Sequence, residues 1–276
     1  MFKSNIILYS VEGTFFRVPS FVLRSTTGYF RTILPPPSPF GQPISGQEQT
    51  ADPIIVDEKD DVLERFLRLI GGLETPSWGS FDELDAVMSL AEKWDAKGPM
   101  CLIRAAATAP KFLEEPLRLY VMATRLNWEH EAKLASTRTL KLSIYDVEHI
   151  EQLQKLSAKS LMVLLRFHRR RRDLFMTFLN TEKAFTAGND PDRRCSVCEE
   201  KLNNHTWREL KIRMFLEMDR RPLGDTLLSL DMEDWRESIA CWSASCHNKD
   251  CGIPLYDRST TLRAIQECLE KLPLTI

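Results

Sequence analysis

At 276 residues, 43% of them hydrophobic, the chain is long enough for two or three modules with packed cores. Its 37 Lys and Arg against 39 Asp and Glu give a net charge of −2, which excludes a polycation that binds nucleic acid by bulk charge. No apolar run approaches the roughly 18 residues of a membrane span, and the first ten residues lack the form of a secretory leader. An intracellular protein, cytoplasmic or nuclear and without membrane contact, is therefore expected.

Residues 5–9 and 14–18 alternate apolar and polar around Glu12-Gly13, which predicts a β-hairpin with Ile6, Leu8, Phe16 and Val18 on its apolar face. A helix is predicted over 20–33, with Ser20 as N-cap and Phe21, Leu23, Phe30 and Ile33 supplying apolar bulk. Pro35, Pro36 and Pro37 stop it, and 35–52 reads as an exposed loop rich in Pro, Gly, Ser and Gln. Ile54-Ile55-Val56 is a third short strand of the same sheet.

Helices follow densely. Patterns over 61–73 and 82–96 precede helices opened by Pro99 and Pro116 at their first positions, and further helices are predicted over 129–141, 146–155 and 158–179. Residues 181–194 read as a linker. Beyond it, Trp207, Leu210, Met214 and Met218 mark one helix, Trp235, Ile239 and Trp242 a second, and Leu262, Ile265 and Leu269 a third. Strands first and helices after suit an α+β unit with an all-α extension.

Five of the seven cysteines lie between Cys195 and Cys251, and an odd count without an export signal argues against a disulfide framework. Cys195-Ser196-Val197-Cys198 is a C-x2-C turn whose two thiolates can converge on one tetrahedral metal, and Cys246 with Cys251 supplies a second pair in a loop-like setting. The reading is a structural zinc site of Cys195, Cys198, Cys246 and Cys251. Cys241 could replace one of the second pair but falls on the Trp235–Trp242 helix, and His205 and His247 are alternative ligands. The plainer alternative is that all five are free thiols in a core. A redox C-x2-C is disfavoured because no βαβ unit surrounds it. Cys101 and Cys268 lie on apolar helix faces and read as core residues.

The run Arg166-Phe167-His168-Arg169-Arg170-Arg171-Arg172 could be an import tag or a phosphate-contacting strip, but its helical setting favours a solvated or carboxylate-paired face. His130, His149 and His168 read as surface or satisfied histidines. No P-loop, Rossmann, His-Glu-x-x-His or Gly-x-Ser-x-Gly pattern occurs, so no catalytic residues and no small-molecule substrate are expected.

Several stretches together carry a resemblance. Asn5-Ile6-Ile7-Leu8, Phe16-Arg17-Val18-Pro19-Ser20-Phe21-Val22-Leu23-Arg24 and Tyr29-Phe30-Arg31 resemble the opening of a BTB/POZ domain. Asp52 to Val56, Ala91-Glu92-Lys93-Trp94-Asp95, Phe112 to Tyr120 and the arginine run are similar to fungal BTB-domain proteins.

The resemblance implies an α+β fold and a non-catalytic protein-interaction role. It divides the chain into a BTB/POZ domain over 1–110 with a small sheet flanked by helices, a helical extension over 111–180, and, past the 181–194 linker, a Cys-rich helical segment over 195–276. Partners would be other proteins, self-association included. A DNA-binding regulator and, by family analogy, a ubiquitin-ligase substrate adaptor are the alternatives. Asn5 stands where the family has Asp and Pro19 where it has His, which tells against the charged-pocket functions of BTB repressors. Only Met1 to Ser4 precede the first strand, which tells against a strand-exchanged dimer.

Overall fold

The computed structural model describes residues 5–35 and 52–276, in two units, Met1–Glu114 and Glu115–Ile276. Most of the expected 35–52 loop lies outside the described residues. In the first unit β1 (Asn5–Tyr9) pairs antiparallel with β2 (Phe15–Pro19), Ile6 opposite Val18 and Leu8 opposite Phe16. Side chains alternate along a strand, so Ile6, Leu8 and Val18 turn inward while Asn5 and Phe15 face water. β3 (Ile54–Ile55) runs parallel to β1 on its other edge, giving the order β2-β1-β3. The fold is thus mixed, mostly helical, with one small three-stranded sheet.

Gly13 closes the hairpin at φ +91°. The Ser10 and Thr14 hydroxyls donate to the Asp60 carboxylate, and Glu12 accepts the Asp60 N–H at 2.8 Å. The hairpin tip therefore supplies an acceptor to the exposed N–H groups at the start of α3 (Asp60–Gly71). α3, α4 (Phe81–Lys93) and α5 (Lys97–Ala107) bury Leu63, Phe66, Leu84, Val87, Met88 and Ile103. Trp94 meets Phe30 and Phe66 edge-on at 4.9 and 5.0 Å.

Several local expectations are corrected. The 20–33 helix is two, α1 (Ser20–Thr26) and α2 (Gly28–Ile33), because Thr27 is extended. Its hydroxyl donates to Leu23 O at 2.6 Å and accepts the Phe30 N–H at 3.3 Å, ending one helix and capping the next. Ser20 is the first helical residue, with uncapped Pro19 before it. Phe21 and Ile33 are exposed rather than packed, and so is Cys101. Pro99 is third, not first, in α5, still within the turn whose N–H groups lack helical partners.

The second unit carries α6 (Pro116–Arg125), α7 (Glu129–Thr139), a 3-10 turn at Val147–His149, α8 (Ile150–Gln154) and the long α9 (Ala158–Leu179). Pro116 does open its helix, and Ser157 caps α9 by accepting the Ser160 N–H. The expected 181–194 linker is instead partly helical, as α10 (Glu182–Asn189), which kinks at Phe185 (φ −132°, ψ 45°) and buries that ring against Trp207 in a stack with centroids 5.1 Å apart. α11 (His205–Arg220), α12 (Leu230–Glu233), α13 (Arg236–Trp242) and α14 (Arg258–Glu270) complete the unit.

One core takes Phe175 and Leu179 from α9, Phe185 from α10, Trp207, Leu210, Met214 and Met218 from α11, and Ile265 and Cys268 from α14. The extension, the presumed linker and the Cys-rich segment are thus one packed body. Gly188 is required there, since a Cβ would stand 2.3 Å from the Trp207 ring.

The arginine run is also corrected. His168 and Arg171 are buried on the inner row of α9 with Leu164, Phe167 and Phe175. Arg171 donates to Pro222 O at 2.8 Å, to Leu223 O at 3.2 Å and to Pro273 O, so carbonyls, not a carboxylate, receive this cation. Arg172 does pair as expected, with Asp173 and Asp219.

Candidate metal centre

Two short hairpins present the cysteines. In the first, Arg194 bridges Lys201, Cys195 N–H donates to Glu200 O at 2.9 Å, and Glu199 N–H returns to Cys195 O at 3.0 Å. In the second, Ser245 bridges Pro254 and Cys246 N–H donates to Ile253 O at 2.9 Å. Asn248 closes its longer loop: its carbonyl accepts Cys251 N–H at 3.0 Å and its side chain accepts Asp250 N–H at 3.0 Å. The residue after the last cysteine of each pair lies in the left-handed region, Glu199 at φ +56° and Gly252 at φ +59°. C-x2-C and C-x4-C therefore end in the same backbone turn.

The hairpins bring the sulfurs of Cys195, Cys198, Cys246 and Cys251 within 4.8 Å of one another. Cys195 Sγ lies 3.5 Å from Cys251 Sγ, and Cys198 Sγ 3.4 Å from Cys246 Sγ. These separations far exceed an S–S bond of about 2.05 Å. A tetrahedral ion with metal–sulfur bonds near 2.3 Å needs sulfurs about 3.8 Å apart, and the observed spacing brackets that value. The four sulfurs are compatible with a metal site.

The backbone favours thiolates here. The N–H groups of Cys198 and Val197 aim at Cys195 and hold its thiol down at about 6. Asn248 N–H aims at Cys246 and Ile253 N–H at Cys251, but burial and the neighbouring sulfurs outweigh them, raising Cys246 to about 12 and Cys251 above its ordinary value. Four sulfurs this close cannot all carry charge unless a cation joins them.

The alternative ligands fall elsewhere. Cys241 is buried on α13, where burial pushes its thiol up to about 12, the state of a core residue. His205 is exposed and faces Glu209 at 3.2 Å, and His247 is exposed. Sequence reasoning found all four sulfurs but not the paired hairpins that aim them. The turn-forming Asn248 and Gly252 were the available signal. No protein-family model, no curated protein and no solved structure matches the chain.

Proposed function

We propose that the chain is a non-catalytic protein-interaction scaffold of the BTB/POZ type, with a structural zinc ion in its C-terminal unit. The zinc reading rests on one observation, the four converging sulfurs. An all-sulfur tetrahedral set suits zinc in a reducing compartment, and four protein ligands leave no coordination position for substrate or water. Structural zinc sites carry apparent binding energies of about 10–16 kcal/mol that enter folding directly. Here that energy would tie the 193–202 hairpin to the 244–255 hairpin, whose Cys195, Leu202, Cys246 and Leu255 belong to the unit's core.

The interaction reading is supported by the BTB/POZ resemblance, by the small sheet with helices following it in the N-terminal unit, and by Phe21, Tyr29 and Ile33, which α1 and α2 expose. Its partners are other proteins, a second copy included. DNA binding through the metal segment finds less support, because Lys201 pairs with Asp192 at 2.9 Å and Arg213 lies 3.7 Å from Glu217.

Elemental analysis of the purified chain beside Cys195→Ala and Cys251→Ala tests the metal. One zinc per chain in the wild type and loss in both variants is the expected result, and unchanged metal content in the variants removes the site. A sedimentation series over concentration, repeated with Phe21→Ser, tests self-association. A mass that rises with concentration only in the wild type is expected. A monomer throughout, with no co-purifying protein, counts against the scaffold.

A further inference from the structure

The outer face of α9 combines features that its fold does not use. Lys159, Met162, Val163, Arg166, Arg169 and Arg170 recur at spacings of three, four and seven residues, and all are exposed. Arg169 has Asp173 at 3.6 Å, a carboxylate that Arg172 shares. Among the described residues no ion pair engages Lys159, Arg166 or Arg170. Arg166 and Arg170 are like charges one turn apart, an arrangement that works against the helix carrying them. Beside this row lies a concavity of about 350 Å³ whose lining includes Tyr120, Trp128, Ala132, Lys133, Lys159 and Val163, with one carboxylate, Glu129, among its cations. Lys159 and Val163 belong to both, so row and concavity form one surface.

We propose that this surface docks an acidic amphipathic segment of a partner protein. One apolar side chain of the segment enters the concavity, and its carboxylates meet Lys133, Lys159, Arg166 and Arg170. Charge complementarity selects the occupant: the chain as a whole carries −2, so this concentration of cations is local and faces an anionic partner. The concavity adds the pocket for an apolar anchor on which helix-in-groove recognition depends. A nucleic acid fits less well, since Trp128 and Tyr120 are buried at 7% and 1% exposure and offer no stacking face. A lipid surface fits less well because the row offers only Met162 and Val163 as exposed apolar groups, beside a concavity.

The proposal uses neither the cysteines nor the N-terminal unit. Its failure would leave the zinc and scaffold readings intact.

Fluorescence anisotropy on the full chain tests it, with a labelled Glu/Leu amphipathic helical peptide of about 16 residues as the probe. Saturable binding is expected, weakened about tenfold by the double variant Arg166→Glu, Arg170→Glu, and similarly when serine replaces leucine in the peptide. Thermal melts establish that the variant folds, and Arg166→Gln, Arg170→Gln replaces it if the charge reversal disturbs the helix. The proposal is overturned by no saturable binding, by equal binding of wild type and variant, or by equal binding of the serine peptide, which would be charge attraction alone. Tighter binding of a single-stranded DNA oligonucleotide or of phosphatidylserine vesicles through the same arginines would also overturn it.

Discussion

Glu199 and Gly252 occupy matching places, each directly after the last cysteine of its pair and each with positive φ. A Cβ at Gly252 would meet nothing within 4 Å, so the cost of a side chain there is the backbone conformation alone. Gly252→Ala should destabilise the protein by about 1 kcal/mol in urea denaturation. Glu199→Gly should stabilise it by about half as much, because the freer unfolded chain offsets part of the gain. No response to Gly252→Ala would mean that the second hairpin does not hold the turn described.

His168 shows the same reasoning for charge. Thr139 spends its hydroxyl proton on Ser136 O at 2.7 Å, so its oxygen must accept, and His168 Nε2, 3.0 Å away, is the protonated nitrogen. Burial first, and Arg171 second, lower the imidazole from 6.5 to about 4. Below pH 6.5 the unfolded chain takes up a proton that the folded chain refuses until about pH 4. Stability should therefore fall through that window, by up to about 3 kcal/mol from this group, and not depend on it at higher pH. The difference in stability between wild type and His168→Gln, followed by urea denaturation between about pH 7.5 and 5, measures this share. A variant as acid-sensitive as the wild type would contradict it.

At the scale of elements, α9 has two faces and the arginine run crosses both. Arg171 lies three or four residues from His168, Phe167 and Phe175, all on the inner row, whereas Arg166 and Arg170 lie on the outer one. That phase was legible in the sequence; reading the arginines as one charge cluster hid it. Arg171→Lys cannot reach the Pro222, Leu223 and Pro273 carbonyls together, and Arg171→Met removes every donor. Both should lose about 2–4 kcal/mol of stability by urea denaturation, the cost of stranding buried acceptors. A loss below 1 kcal/mol in both would show that the clamp is dispensable.

The helix over Glu182–Asn189 was less legible, because its composition is that of a turn-rich connector and one residue, Phe185, anchors it against Trp207. Tertiary packing overrode local preference there. The break at Thr27 is similar: a hydroxyl that both ends one helix and caps the next leaves only a faint sequence signal.

Across the whole molecule, the hairpin, the third strand and the dense helices follow from periodicity, and the four sulfurs from cysteine spacing. The joining of residues 115–276 into one unit does not, since it depends on contacts between segments far apart in the chain. Cys198 and Cys246 are 48 residues apart, and α11, α12 and α13 lie between them. The four sulfurs come within 4.8 Å of one another across that separation, an arrangement compatible with one metal ion joining the two hairpins.

X-ray absorption at the zinc edge of the purified full chain tests that claim most directly. A first shell of four sulfurs near 2.3 Å, with no nitrogen or oxygen scatterer, is the predicted spectrum. A shell containing nitrogen or oxygen, or a metal-free folded protein with these cysteines joined as disulfides, would contradict it.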